Sequence, residues 1–223
     1  MAISKVTVLI IENQYPINVL AFNKLLLKMP QRIQQDVLKY HRWQDRQATL
    51  LGKWLLIKGL EILNKNPNAI HSLQKDNYKR PFLADLKMEL DFNISHSQGI
   101  VVCALSENKI GIDVEIIETI IPSEYKSVFT IQEFRNIEED QDVMATFFKY
   151  WTRKEAIMKA DGRGFYLPPA SFEAIKDAVK VNEKSWFIQP VSISELTNDS
   201  YSCHIATNPK AIIQTYFFDW KEI

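Results

Sequence analysis

The strongest constraint on the fold comes from two short acidic motifs that lie about forty residues apart. The first is GIDVE at residues 111–115. Side chains alternate between the two faces of a strand, so Asp113 and Glu115 point to one side while Ile112 and Val114 point to the other. This motif therefore predicts a strand with one apolar face and one acidic face.

The second motif is WTRKEA at residues 151–156, followed by Lys159. Residues four apart share one face of a helix, so Trp151, Glu155 and Lys159 form a single stripe. If this helix lies beside the acidic strand, three carboxylates and one ammonium group converge. Such oxygen ligands suit Mg²⁺, which keeps several waters and is commonly completed by substrate phosphates. The lysine would then face a phosphate.

Each motif taken alone has a simpler explanation. Alternating acids are typical of the solvent face of an edge strand, and Glu155 with Lys159 is a common helix-surface pair worth about 0.2–0.5 kcal/mol. The surroundings of the helix favour a functional site, because Phe147, Phe148 and Met158 make it apolar on the acidic side too. We therefore expect Glu155 to be half-buried, and a half-buried carboxylate needs a partner.

Composition excludes several classes of protein. The 223 residues include 27 basic and 27 acidic side chains, so the bulk positive field of a nucleic-acid or membrane-surface protein is absent. Cys103 and Cys203 form no disulfide framework and no metal-ligand spacing, which favours a cytoplasmic setting. The apolar N-terminal run is too short to span a bilayer and is expected to be a strand. No metal-ligand spacing is seen at the other histidines, His41, His71 and His204, which are expected to be structural or surface residues.

Hydrophobic periodicity predicts a mixed α+β chain. Helices are expected over 31–40, 45–63, 123–129, 131–137 and 142–160, and later strands over 92–97, 100–105, the segment around Asp113, 186–191, 201–206 and 212–220. The strand at 100–105 and the strand bearing Asp113 are expected to pair as a hairpin. The glycine at Gly162 is expected to end the long second helix. Each half thus combines strands with a long helix, and the soft boundary at 107–109 divides the chain into 1–108 and 109–223.

The two acidic motifs and a third, NISHS at residues 93–97, resemble in order and spacing the signature of 4′-phosphopantetheinyl transferases. The resemblance covers roughly residues 30 to 170, and the length is similar to that of the surfactin-synthetase-type branch. It implies two similar halves related by pseudo-two-fold symmetry, each a small, mostly antiparallel sheet packed on a long helix. It also implies a monomer, with the coenzyme A 3′-phosphate side in the first half and the metal and catalytic acids in the second.

The same resemblance implies roles for the acidic motifs. Asp113, Glu115 and Glu155 would hold Mg²⁺ on the pyrophosphate of coenzyme A, the co-substrate, and Lys159 would contact that pyrophosphate. Asp113, Glu155 and Lys159 are thus the expected catalytic residues. The proton of the attacking hydroxyl would pass to Glu155, which we favour, or to Glu115 through a water.

Further residues are implied to bind coenzyme A. Ser95 and His96 match positions that bind its 3′-phosphate, and Lys75 and Arg80 match the basic partners of that phosphate.

The chain departs from the family pattern earlier in the sequence. Family members usually carry a lysine or arginine near the region of Gln35 and Asp36, and here the nearest basic residues are Arg32 and Lys39. Which of these two contacts the 3′-phosphate, if either does, stays open.

The implied reaction is transfer of 4′-phosphopantetheine from coenzyme A to a serine hydroxyl of an apo acyl or peptidyl carrier protein, with release of 3′,5′-ADP. Residues 122–141 are the expected docking surface for the carrier, and no nucleic acid or membrane partner is expected. Two alternatives are a Mg²⁺-dependent nucleotide pyrophosphatase, which would release 3′,5′-ADP without a carrier, and a non-catalytic carrier-binding protein, which failure to bind metal would favour. The sequence leaves the natural carrier and its pathway open.

Overall fold

The structure is a computed structural model that describes residues 4–193 and 200–220. Its α-helices are α1 (Val19–Leu27), α2 (Gln31–Leu38), α3 (Trp43–Ile62), α4 (Ile131–Glu139) and α5 (Val143–Asp161). Its strands are β1 (Ser4–Asn13), β2 (Leu73–Lys75), β3 (Pro81–Leu83), β4 (Asp91–Ser97), β5 (Gly99–Ser106), β6 (Ile110–Ile116), β7 (Ala178–Val181), β8 (Lys184–Pro190), β9 (Tyr201–Thr207) and β10 (Ala211–Phe218). Short 3₁₀ turns connect several of them.

The first sheet has the strand order β10-β1-β5-β4, with β1 parallel to β10 and antiparallel to β5. The long helix α3 covers one face of this sheet and contributes Leu51 and Leu55 to the largest apolar core. Two glycines let the helix lie close to the strands. A Cβ atom at Gly59 would lie only 2.4 Å from the Leu105 side chain, so a larger residue there would push helix and sheet apart.

The second sheet has the order β6-β9-β8-β7 and is antiparallel throughout. Helix α5 packs on it and is capped at its N-terminus by Asp142, whose side chain accepts a hydrogen bond from the backbone N–H of Ala145. It ends at Gly162, which has a φ of 92° and so supplies the left-handed residue expected from the sequence. Each half thus carries a long helix of 19 or 20 residues preceded by a short one.

Side chains rather than strand pairing join the two sheets. The edge strand β4 runs beside β6, and polar side chains at alternate positions of β4 accept hydrogen bonds from backbone N–H groups of β6. The donor–acceptor pairs are Ile110 N to Asp91 Oδ2 (3.0 Å), Ile112 N to Asn93 Oδ1 (2.9 Å) and Ile116 N to Ser97 Oγ (3.0 Å). We call this row of contacts the seam between the halves.

The α+β class and the two similar halves are confirmed. The expected hairpin is wrong, because β5 pairs with β1 and β4 whereas β6 pairs with β9. The last strand, β10, lies in the first sheet although it belongs to residues 109–223. Helix α1 and strands β2, β3 and β7 were not predicted, and the helix expected over 123–129 is a 3₁₀ helix at Pro122–Val128. Within the described ranges, no helix is both long and apolar enough to cross a bilayer.

Candidate active site

The two acidic motifs meet at the seam because β6 and α5 are packed almost backbone to backbone. A Cβ atom at Gly111 would lie 2.0 Å from the carbonyl oxygen of Ala156, so only glycine permits this approach. The contact places the start of β6 against the middle of α5. Asp113, two residues beyond Gly111, therefore lies beside the helix face that carries Glu155 and Lys159.

Asp113 and Lys159 form a partly buried ion pair at the centre of the site. Lys159 Nζ lies 2.6 Å from Asp113 Oδ1 and 2.9 Å from Ser95 Oγ, and Ser95 in turn donates to Asp113 Oδ1 at 2.9 Å. Burial alone would lower the pKa of Lys159, but the Asp113 carboxylate raises it overall, so the ammonium stays charged. The simpler alternative, a helix-surface pair of Lys159 with Glu155, does not describe this lysine, because its ammonium bonds to Asp113 on the neighbouring strand.

The other two carboxylates are held at raised pKa values. Burial raises the pKa of Glu115 to about 7, and the charge of Asp113 adds to the effect, although Ser97 Oγ donates to its Oε2 at 2.8 Å. Burial and the Asp113 charge also raise the pKa of Glu155. The three acids therefore repel one another, and a cation between them would relieve that repulsion.

One oxygen of this group has no partner. Asp113 Oδ2 is buried and makes no hydrogen bond within the described part of the chain, which is a costly state for a carboxylate oxygen. In residues 4–193 and 200–220, no three His, Cys, Asp or Glu side chains already stand in a metal-binding arrangement. The free oxygen and the two neighbouring carboxylates nevertheless provide the all-oxygen donors that Mg²⁺ prefers, so these residues fit such an ion.

Ser95 and His96 lie on opposite sides of β4. Ser95 faces the acids, whereas His96 is exposed and lines a cleft of about 370 Å³ beside the start of α3, together with Arg42, Asp45 and Ala48. Partial loss of solvent around its ring, and then the nearby Lys159 charge, lower the pKa of His96.

Arg80 and Lys75 do not share one location. Arg80 is buried, and its Nη2 donates to Asp91 Oδ2 and to the carbonyl oxygen of Ile110, both at 2.7 Å. Five residues of extended strand, about 16 Å, separate Asp91 from His96. The structure thus places Arg80 at the far end of the seam, while Lys75 is exposed on β2.

Two buried basic residues of the WTRKEA motif were not singled out from the sequence. Lys154 is 1% exposed and lies 2.8 Å from Glu133 Oε2, and its ammonium also donates to the carbonyl oxygens of Pro169 and Phe172. Glu133, itself fully buried, accepts from the backbone N–H of Ala174. This pair therefore joins helix α5 to α4 and to residues 169–174.

Arg153 performs a similar task one residue earlier. It donates to the carbonyl oxygens of Ala174 and Lys176 at 2.6 and 2.7 Å, and to Asp177 at 3.0 Å. Two consecutive basic residues inside a run of core residues were the only sequence signal of these contacts. The contacts of Arg153 fix residues 174–177 against helix α5, which carries Glu155 and Lys159.

A buried polar contact lies behind the same helix. Thr152 Oγ1 is 2.8 Å from His204 Nδ1 and 2.9 Å from Ser202 Oγ. Burial first, and then the charge of Arg153, lower the pKa of His204 to about 3. This histidine is therefore a neutral, buried member of the structure.

Comparisons with known proteins agree with this geometry. The family model described as "4'-phosphopantetheinyl transferase superfamily" matches residues 109–208, and the one described as "4'-phosphopantetheinyl transferase, N-terminal" matches residues 18–108. The 4'-phosphopantetheinyl transferase gsp of Aneurinibacillus migulanus is 33% identical over 181 residues, covering 78% of this chain and 73% of the relative. The 4'-phosphopantetheinyl transferase Sfp of Bacillus subtilis strain 168 is 31% identical over 170 residues, covering 75% and 70%. The chain therefore belongs to the 4′-phosphopantetheinyl transferase superfamily.

Proposed function

We propose that this chain transfers the 4′-phosphopantetheine group from coenzyme A to a serine hydroxyl of an apo carrier protein. The serine oxygen forms a new bond to the phosphorus on the pantetheine side, and the bond from that phosphorus to the bridging oxygen breaks, releasing 3′,5′-ADP. The observation that carries this proposal is the meeting of Asp113, Glu155 and Lys159 at the seam, in a chain of this superfamily. A site with this charge distribution suits a pyrophosphate whose leaving group gains negative charge.

Asp113, through its free Oδ2, would hold Mg²⁺ together with Glu115 and Glu155. When bound, the ion supplies positive charge that neutralises the pyrophosphate and the three carboxylates. Ser95 and Asp113 already hold the Lys159 ammonium next to the three carboxylates that would bind the ion. The ammonium can therefore reach an oxygen of a pyrophosphate bound there without a change of helix position.

Glu155 is the group that we assign as the acceptor of the serine proton. No side chain in the described ranges hydrogen-bonds its carboxylate, so its oxygens are available, whereas Glu115 is held by Ser97. Burial raises the pKa of Glu155 above the ordinary carboxyl value, which brings its basicity closer to that needed at neutral pH.

The carrier would dock on the segment of residues 122–141 and its neighbour Ile121. Three apolar side chains there are exposed, namely Ile121 (60%), Tyr125 (37%) and Ile131 (82%). Tyr125 also packs edge-on against Trp151, one turn of helix before Glu155. A carrier helix placed on this surface would bring its serine near the acids.

The same arrangement supports a proposal for the oligomeric state of the protein. One chain supplies both sides of the seam, so we assign a monomer, with the coenzyme A 3′-phosphate side in residues 1–108 and the acids in residues 109–223. The two unpaired, buried thiols of Cys103 and Cys203 favour the cytoplasm.

The deciding experiment incubates the protein with coenzyme A, Mg²⁺ and a panel of apo carriers, and measures the intact mass of each carrier. We expect one phosphopantetheine group per carrier, an equal amount of 3′,5′-ADP, and no reaction after chelation of the metal. A carrier whose acceptor serine is replaced by alanine is the control. Release of 3′,5′-ADP without any carrier would instead favour a pyrophosphatase, and absence of both products would contradict transfer.

A further inference from the structure

Two serines of β4 each hold one acid of β6. Ser95 Oγ donates to Asp113 Oδ1 at 2.9 Å, and Ser97 Oγ donates to Glu115 Oε2 at 2.8 Å. Within the described residues, the second oxygen of each acid, Asp113 Oδ2 or Glu115 Oε1, accepts no hydrogen bond. Each serine therefore binds one oxygen of its carboxylate and leaves the other available to a cation.

A second contact fixes the hydroxyl of Ser97. Its oxygen accepts a hydrogen bond from the backbone N–H of Ile116 at 3.0 Å. A hydroxyl has one proton to donate, so an oxygen that already accepts from Ile116 directs that proton to Glu115. Because the Ile116 N–H belongs to the main chain of β6, the strand that carries Glu115 also orients the serine that holds it.

Ser97 also lines the cleft of about 370 Å³ beside the start of α3, so the cleft and the acids meet at this residue. Gln98, the next residue, lines the same cleft, but its Nε2 lies 3.4 Å from Glu118, an acid outside the site. A glutamate side chain loses rotamer freedom when it binds a metal ion. The bond from Ser97 restricts Glu115 before an ion arrives, which lowers the entropic cost of binding.

We infer that Ser97 is a positioning residue that holds Glu115 in the orientation that binds Mg²⁺. This inference rests on the proposed function, which supplies the ion and coenzyme A. Ser97 acts through Glu115, and metal ligands that lose such a hydrogen-bond partner typically lose about tenfold to hundredfold in metal affinity. A residue of 1–108 thus sets the affinity for an ion that the acids of 109–223 bind.

The test measures the affinity for Mn²⁺, a paramagnetic ion that shares the oxygen ligands of Mg²⁺, from the electron paramagnetic resonance signal of the free ion. Coenzyme A is present without a carrier, and a titration of coenzyme A alone gives the Mn²⁺ that the nucleotide binds by itself. We expect Ser97→Ala to raise the Kd for Mn²⁺ by about tenfold. Ser97→Thr keeps a hydroxyl and should restore most of the affinity. Gln98→Ala is the matched control and should leave the Kd unchanged.

A double-mutant cycle with Glu115→Gln separates positioning from a general loosening of the seam. If Ser97 acts through Glu115, Ser97→Ala should change the Kd by less than about twofold in the Glu115→Gln background. A loosened seam would instead weaken Mn²⁺ binding in both backgrounds alike. Equal losses in the two backgrounds, or no loss in either, would overturn the positioning role. Thermal unfolding of each variant shows that it is folded.

Transfer assays keep this outcome distinct from failure of the proposed function. If the unaltered protein loads a carrier in the presence of Mg²⁺, the function stands. Equal Mn²⁺ affinities of the unaltered protein and Ser97→Ala would then contradict the inference alone. If the unaltered protein binds no Mn²⁺ and loads no carrier, the function and the inference fail together.

Discussion

Lys159 and Asp113 are coupled residues, and removing one leaves the other charged and buried. Lys159→Met should lower turnover by about 10²-fold or more, because a positioned electrostatic donor to the pyrophosphate is lost. If Lys159 contacted only the phosphate, the melting temperature would be expected to stay nearly the same. The buried Asp113 partner changes that expectation, since an unpaired carboxylate destabilises the fold.

The double variant Asp113→Asn with Lys159→Met separates the two effects. Because both charges are removed together, the melting temperature should recover toward that of the unaltered protein while turnover stays low. Lys149→Met, an exposed lysine of the same helix, is the control and should alter neither quantity. Normal transfer by Lys159→Met at saturating coenzyme A would exclude the assigned phosphate contact.

Glu115 should make the stability of the metal-free protein fall as pH rises. Its pKa is about 7 in the fold and near the ordinary 4.5 when unfolded, so the folded state binds the extra proton. This contribution is complete below about pH 4.5 and is lost as pH rises through about 7. Thermal unfolding with a chelator should show a lower melting temperature at about pH 8 than at about pH 6, relative to Glu115→Gln.

Glu118→Gln provides the comparison for this measurement, because Glu118 is an exposed acid just beyond the same strand. It should keep the pH dependence of the unaltered protein. Added Mg²⁺ should remove much of the difference, since a bound cation favours the ionised carboxylate. An identical pH profile for Glu115→Gln and the unaltered protein would disprove the raised pKa.

At the scale of elements, the buried pair of Lys154 and Glu133 fixes how α5 lies against α4. Lys154→Met should destabilise the fold by about 3–5 kcal/mol, because Glu133 is left charged and without water. Denaturant unfolding measures this. The double variant with Glu133→Gln should regain much of the loss, whereas Lys58→Met, which removes a surface pair, should cost less than about 1 kcal/mol. A loss of less than about 1 kcal/mol for Lys154→Met would contradict a stabilising role of this buried pair.

Local patterns predicted the long elements well and their partners poorly. The apolar periodicity and Gly162 located α5 to within about two residues, the usual uncertainty of helix ends. The hairpin failed because a short turn between β5 and β6 favours local pairing, whereas β9, some ninety residues away, is the actual partner of β6. Helix α1 was missed because Leu20 and Leu27 are exposed, so its apolar residues do not lie on one face and show no helical period.

The same distinction holds within the site. Spacing alone predicted the face of the strand that carries Asp113 and the face of the helix that carries Glu155 and Lys159. It left open whether strand and helix are neighbours, and the structure brings the two faces together. The partners of Arg80 and Lys154 could not be read in this way. Their contacts are to backbone carbonyls and to acids on other elements, which no local spacing encodes.

At the scale of the whole molecule, the docking surface can be tested with two matched residues. Ile131 at the start of α4 and Leu20 on α1 are both 82% exposed, so neither contributes much to the core. Ile131→Asp should lower kcat/KM for the carrier by about tenfold, a loss typical of a buried interface contact, and leave the KM for coenzyme A unchanged. Leu20→Asp should change neither. Equal effects of the two variants would place the carrier elsewhere.

The contacts of the seam depend on how the edge strand β4 is aligned with β6. The acceptors that hold β6, on Asp91, Asn93 and Ser97, stand on every second residue of β4, and Ser95 in the same row bonds Asp113. A shift of β4 by one residue would turn the whole row to the opposite face. A single-residue insertion at the start of β4 would therefore detach the first half from β6 and take Ser95 away from Asp113, while the packing of β6 on α5 would keep the three acids together. One altered position in the first half could thus abolish transfer without touching any of the acids.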